Sequence, residues 1–461
     1  MVSPRKIRQL WWLNPAWVGG AMGVLVSLAA FAVPDWMYRF YWRTPKFFYE
    51  TQLWLALACT ACFVAGAVLG QWRRRTCGAE QNLPALWSTL PWRAVYRVFY
   101  LCFWLSIAGY IAWAAVAASR GASLLLALDV LRGEKGASYA MKEVYLVTVS
   151  GVTTLTQFGI AALLLGVWIG IAKGWRAVRI PLAVLAGLTV ARALFNSERL
   201  AIIELAIPFS VLMLRLHVLE SPVYTRARHL SLQFLPLFAA GGLISIFGAS
   251  EYFRSWSTFY SGEGTGFWQF VVLRLTGYYV TALNNGAVLI SQLGTQAAPF
   301  FTLHFLWRFP FFSNLALAIF PQVQLEDTTI DPYMTILNRA ANPEFNNGSG
   351  LLLPIADYGL AGAFSFWVIA GFLCGFAYRA FLRMHPAGLL FYPVLFTGVV
   401  EIARILYWGE GRIVTAYFVL APMAWFVTCY CRRAQIARAQ ANYRAQQLTS
   451  SISGTQWLPS H

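Results

Sequence analysis

Unalternating apolar runs follow one another along almost the whole of this chain, each about 20 residues long and so able to cross ~30 Å of hydrocarbon. Inside lipid the backbone must satisfy its own polar groups, which a helix does within one segment. Barrel strands would instead alternate apolar and polar residues. With 59% hydrophobic and 11% charged residues, against about a quarter charged in soluble domains, the chain reads as an all-α polytopic membrane protein. Spans are expected near 15–34, 51–71, 95–118, 145–171, 178–196, 200–217, 230–250, 351–378, 388–408 and 413–431, about ten in all. This divides the chain into a transmembrane bundle over 1–250, an external loop subdomain over 251–350, C-terminal transmembrane helices over 351–431 and a tail over 432–461.

The net charge of +17 is spread over basic residues that flank the apolar runs on alternate sides. That is the positive-inside pattern, a topology signal that argues against nucleic acid as a partner. It predicts cytoplasmic faces at Arg5–Arg8, at Arg73–Arg75 with Arg93 and Arg97, and at Lys173–Arg179, Arg215–Arg228, Arg379–Arg383 and Arg432 onward. Both termini are then cytoplasmic, and Arg432 to Arg444 is expected as a basic helix along the inner leaflet. The seven cysteines fall in spans or cytoplasmic segments. The pair Cys59 and Cys62 lacks a second pair or a histidine at metal spacing, so no metal site is expected there.

The apolar pattern breaks in two places. Arg192, Glu198, Arg199 and Glu204 crowd into one run, and Glu401, Arg404, Glu410 and Arg412 into another. A charge at bilayer depth costs about 2.5–3.5 kcal/mol on insertion scales, so both runs ask for partners, a polar cavity or a charged substrate. Two such runs suggest a single site. Arginine suits it because its planar fork grips phosphate and stays charged; pairing within each run is the plainer alternative.

The loop over 251–350 is far longer than an ordinary connection. It is rich in aromatics, and apolar helices able to dip into the bilayer are expected near 266–294 and 300–320. Arg274, Tyr278, Thr281 and Asn285 recur at spacings of 4, 3 and 4, which puts them on one helical stripe suited to sugars or phosphates. Glu251, Arg254 and Trp256 open the loop, and Glu326, Asp327 and Asp331 read as a solvated acidic segment, with a divalent-cation site as the lesser alternative. His304 is a lone loop histidine. No nucleotide-binding or hydrolase motif is present, so an activated substrate must arrive already attached to something in the membrane.

Ser197-Glu-Arg-Leu-Ala-Ile-Ile-Glu204, Tyr252-Phe-Arg-Ser-Trp256, the segment Arg274 to Gly286, Asn342-Pro-Glu-Phe-Asn-Asn-Gly-Ser-Gly350 and Asp357-Tyr-Gly-Leu-Ala-Gly362 together resemble Wzy-type oligosaccharide repeat-unit polymerases, over roughly residues 145–412. The resemblance implies a GT-C-like, metal-independent glycosyltransferase of the bacterial inner membrane that makes O-antigen or exopolysaccharide without a cofactor. A growing glycan on undecaprenyl diphosphate would pass to a single lipid-linked repeat unit on the outer side, with a chain-length regulator as a further partner. Arg192, Arg199, Arg254, Arg274, Arg404 and Arg412, with Tyr278 and Asn285, are then expected to bind diphosphate and sugar. Glu198, Glu251 or Glu401 is expected to accept the acceptor hydroxyl's proton. Glu204 is expected to be a structural partner. A lipid-linked oligosaccharide flippase and an O-antigen-type ligase are the competing readings.

Overall fold

The computed structural model describes residues 10–72, 83–134, 136–149, 151–196, 200–221, 225–252, 256, 260, 266–309, 312–321 and 332–453. Among these, helices are the only regular elements. The long ones are α1 (Pro15–Ala32), α2 (Glu50–Trp72), α3 (Trp92–Ser119), α4 (Val152–Lys173), α5 (Arg179–Phe195), α6 (Leu200–Val218), α7 (Leu235–Glu251), α8 (Phe267–Leu293), α9 (Leu353–Leu382), α10 (Pro386–Val400) and α11 (Gly411–Ser453). Seven of them, α1, α2, α3, α4, α6, α9 and α11, are long and apolar enough to cross a membrane within the described residues, and the chain is a multi-pass membrane protein. The bent pair Arg226–Gln233 and Leu235–Ala249, at 46°, would make an eighth. The other two expected spans are short: α5 has 17 residues and α10 has 15, or about 26 and 22 Å of helix.

Small residues set the closest helix contacts. With no hydrophobic force between helices in lipid, close approach of backbones supplies the attraction. One face of α1 carries Gly19, Gly23, Ser27 and Ala30, all buried, with the two glycines against Phe63 and Thr60 of α2. The same stretch of α2 also meets α9, the most extensive helix pair among the described residues. There Gly66 and Gly70 lie under the backbone of α9, and Gly371 and Gly375 lie under the backbone of α2. A Cβ at Gly66 would fall 2.1 Å from the Val368 carbonyl oxygen, and one at Gly371 would fall 2.0 Å from that of Phe63. The seam is therefore reciprocal and admits no side chain at either pair.

Helix α4 is apolar all round and buried from Gly159 to Gly170, as a helix at the centre of a bundle must be. Helix α8, expected near 266–294 as an apolar helix of the long loop able to dip into the bilayer, packs on α1 and α9 and is buried over Val280–Leu289. Two adjacent amides hold it there. Asn284 Oδ1 accepts the Phe47 and Phe48 N–H groups at 2.5 and 3.1 Å, while Asn285 Nδ2 donates to the Phe345 and Asn347 carbonyls at 2.6 and 2.9 Å. Helix α9 turns at Gly359, where φ is 70°. Just before the turn, the buried Asp357 carboxylate accepts the Phe301 and Thr302 N–H groups.

Several basic clusters gather at one end of the bundle. Lys173 Nζ lies 5.3 Å over the Trp92 ring, Thr89 Oγ1 meets Cys431 Sγ at 3.5 Å, and Arg215 donates to the Phe381 and Leu382 carbonyls. The last helix continues without a break into the basic tail, from Gly411 to Ser453. The tail is thus an extension of the span, with no turn after Arg432 to lay it along a leaflet.

Candidate functional site

Helix α10 ends at Val400, eight residues before the expected span does. From Glu401 to Glu410 the chain makes tight turns, yet Ile402, Ala403, Leu406 and Tyr407 are buried. Irregular backbone at this depth is tolerated only where protein surrounds it. The turn carries the second charged run into the bundle, where it meets the first.

The meeting point is Glu204, which is 2% exposed on α6. Its Oε1 lies 3.7 Å from Nη1 of Arg412, in the first turn of α11. Arg192, in the last turn of α5, also lies within electrostatic reach of both Glu204 and Arg412. Its Nη1 donates to Thr156 Oγ1 at 3.0 Å, and its guanidinium stands 5.4 Å from the Trp113 ring centre. Tyr407 faces Glu204 with its hydroxyl buried. A polar cavity of about 10 Å³, lined by Tyr110, Thr156, Gln157, Thr189, Arg192 and Glu204, lies between these helices, with room for one water.

Beside this cluster, Arg404 Nε donates to Glu401 Oε2 at 2.6 Å, and the Arg404 guanidinium lies 6.0 Å from the Tyr279 ring centre on α8. Glu401 is buried, while the Arg404 side chain keeps 17% of its exposure. Glu410 lies 3.5 Å from His304 Nδ1, so the lone histidine of the loop joins the same rim.

The predicted stripe on α8 has a different role along its length. Arg274 is held between two carboxylates, with Nε 3.4 Å from Glu251 Oε2 and Nη1 donating to Glu344 Oε2 at 2.5 Å. Glu251 has no exposure. Phe345 lies under the Arg274 guanidinium at 5.0 Å, and Tyr260 approaches Glu344 at 3.4 Å. Burial, with Glu344 beside it, raises the Tyr260 phenol above its ordinary range. Thr281 donates to the Gly277 carbonyl within its own helix, and Asn285 is committed to the backbone of 345–347. Tyr278 links the two regions: its ring packs on Phe345 and Phe247, and it lies within electrostatic reach of Arg274 and Arg404.

The structure therefore brings Arg192, Glu204, Glu401, Arg404, Glu410 and Arg412 together, and sets Glu251 and Arg274 into a second, mutually paired group. Glu198, Arg199 and Arg254 lie outside the described residues, as do Glu326, Asp327 and Asp331. Sequence reasoning missed Tyr279, Glu344 and Tyr407. Glu344 stands within the Asn342 to Gly350 segment, and its position one residue before Phe345 is the only signal that it shares. No protein-family model, curated protein or solved structure matches the chain.

Proposed function

We propose that this chain is a repeat-unit polymerase, a glycosyltransferase that extends a glycan on undecaprenyl diphosphate at the outer side of a bacterial inner membrane. The observation that carries this reading is the convergence of Arg192 and Arg412 on Glu204, with the Glu401–Arg404 pair beside it, at helix ends away from the basic clusters. In this reading α5, the bent pair before α8, and α10 complete ten crossings, the basic end of the bundle is cytoplasmic, and the fold is GT-C-like.

The reaction joins the acceptor's hydroxyl oxygen to the anomeric carbon of the donor glycan, breaks the bond from that carbon to the lipid diphosphate, and passes the hydroxyl proton to a carboxylate. Arg192, Arg404 and Arg412 stabilise the diphosphate as its charge develops, with Arg199 a further candidate from the sequence. Glu401, held in place by Arg404, or Glu198 accepts the proton. Glu251 is ion-paired to Arg274 and has no exposure, which suits it to holding α8 against α7. Two lipid-linked substrates confined to one interface supply the proximity the reaction needs.

The test is polymer formation in cells lacking the native chain, complemented with variants. Deletion should leave glycans capped at a single repeat. Arg192→Gln and Arg412→Gln should each lower polymer yield about a hundredfold, as for loss of one oxyanion donor. Full-length polymer ladders from both variants would defeat the reading. Lipid-linked units trapped on the inner leaflet would favour a flippase instead.

A further inference from the structure

A second feature lies at the other end of the bundle. A groove of about 500 Å³ opens where the start of α3 meets α11, lined by Pro91, Trp92, Arg93, Arg97, Val98 and Tyr430 among others. Arg93 and Arg97 stand one turn apart on α3, both exposed. Among the described residues, neither guanidinium has a hydrogen-bond or ion-pair partner. The first turn of α3 contains no acid, and Pro91 caps it without a side-chain hydrogen bond, so the positive end of a 28-residue helix adds to the same field. Lys173, poised over Trp92, brings a third cation to the edge. The remainder of the lining is apolar or aromatic, and Tyr430 is 46% exposed.

This combination selects its occupant. A soluble anion would use the cations and leave the apolar floor wet, whereas a peptide would need hydrogen-bond partners that the lining lacks. An acidic phospholipid matches both parts: its phosphate lies between Arg93 and Arg97, its acyl chains run along Val98, and Trp92 and Tyr430 sit at headgroup depth as interfacial aromatics do. We infer that the groove is a specific binding site for an anionic phospholipid of the leaflet at the basic end of the bundle. The inference is independent of the reaction at the Glu204 cluster.

The full chain, reconstituted in discs of phosphatidylcholine doped with phosphatidylglycerol, should retain phosphatidylglycerol after extraction when weighed intact by native mass spectrometry. Arg93→Gln with Arg97→Gln should weaken that retention at least tenfold, since each cation near an anionic surface contributes about 1 kcal/mol. Arg226→Gln with Arg228→Gln, on exposed positions of another helix, should leave it unchanged. Arg93→Lys with Arg97→Lys keeps the charge and should keep most of the retention, which covers the case of a glutamine variant that fails to fold. Equal loss in the two glutamine pairs would show diffuse surface charge and overturn the site. So would retention unaffected at Arg93 and Arg97, or displacement of the lipid by millimolar inorganic phosphate.

Discussion

Glu204 and Arg412 lie far apart in the chain, yet their Oε1 and Nη1 atoms are 3.7 Å apart, with Glu204 almost fully enclosed. Removing one charge of such a pair leaves the other buried and uncompensated, which costs more than the pair itself contributes. Glu204→Gln should therefore destabilise by about 3 kcal/mol, the low end for buried pairs because Arg412 keeps partial exposure. Thermal unfolding of the purified chain checks this. The double variant Glu204→Gln with Arg412→Gln should regain most of the stability and none of the polymer. Recovery of polymer would mean that the pair serves only the fold.

The seam between α2 and α9 gives a prediction about assembly. Gly66→Leu or Gly371→Leu would drive a side chain into the facing backbone, where even a Cβ would lie 2.0–2.1 Å from a carbonyl oxygen. Overpacking costs about 1–3 kcal/mol where neighbours can shift, and backbone shifts less readily than side chains. The loss should reach or exceed the top of that range and show as low yield of folded protein. Gly187→Leu is the control, because nothing lies within 4 Å of its would-be Cβ.

Asn285 holds the 345–347 segment through two donated hydrogen bonds. Asn285→Ala would leave the buried Phe345 carbonyl and the part-buried Asn347 carbonyl without this donor, at about 1–3 kcal/mol. Because Glu344 immediately precedes that segment, the variant should loosen the Arg274–Glu344 pair, so Asn285→Ala and Glu344→Gln should be less than additive in a double-mutant cycle on unfolding free energy. Strict additivity would count against the coupling.

His385 precedes α10, and its Nδ1 accepts the Ala387 N–H at 3.3 Å, capping the helix. Burial holds its imidazole below the ordinary histidine value of 6.5. The folded state thus prefers the neutral ring. The stability this provides is full above the unfolded value and is lost as pH falls through the lower folded one. His385→Asn, which keeps a capping acceptor without the titration, should flatten the stability profile on the acid side of that value. A parallel acid limb in variant and wild type would assign the effect elsewhere.

Much of the fold was legible because lipid imposes it. Apolar length marked the spans, and the two charged runs pointed to one site because an isolated charge at depth is too costly to leave alone. The end of α10 at Val400 was not legible. Leu406 and Tyr407 read as further span, and only the surrounding protein makes a turn there tolerable. The stripe on α8 was right as a helical face, but the partners that divide it are set by distant residues, Glu344 for Arg274 and the backbone of 345–347 for Asn285. The glycine seam was present as Gly66 with Gly70 and Gly371 with Gly375. A four-residue spacing becomes informative only when both halves face one another.

The shortness of α5 and α10 has a mechanical consequence. Arg192 occupies the last turn of one, and Glu401 follows the end of the other. Helices of about 22–26 Å fall short of ~30 Å of hydrocarbon, and a bilayer relieves that mismatch by dimpling toward them. The headgroup plane would sink beside these two residues. For the polymerase proposed above, a lipid-borne diphosphate drifting laterally would then descend to the arginines without its polyprenyl tail being lifted out of the oil, so the deformation of the membrane itself would serve as the entrance ramp.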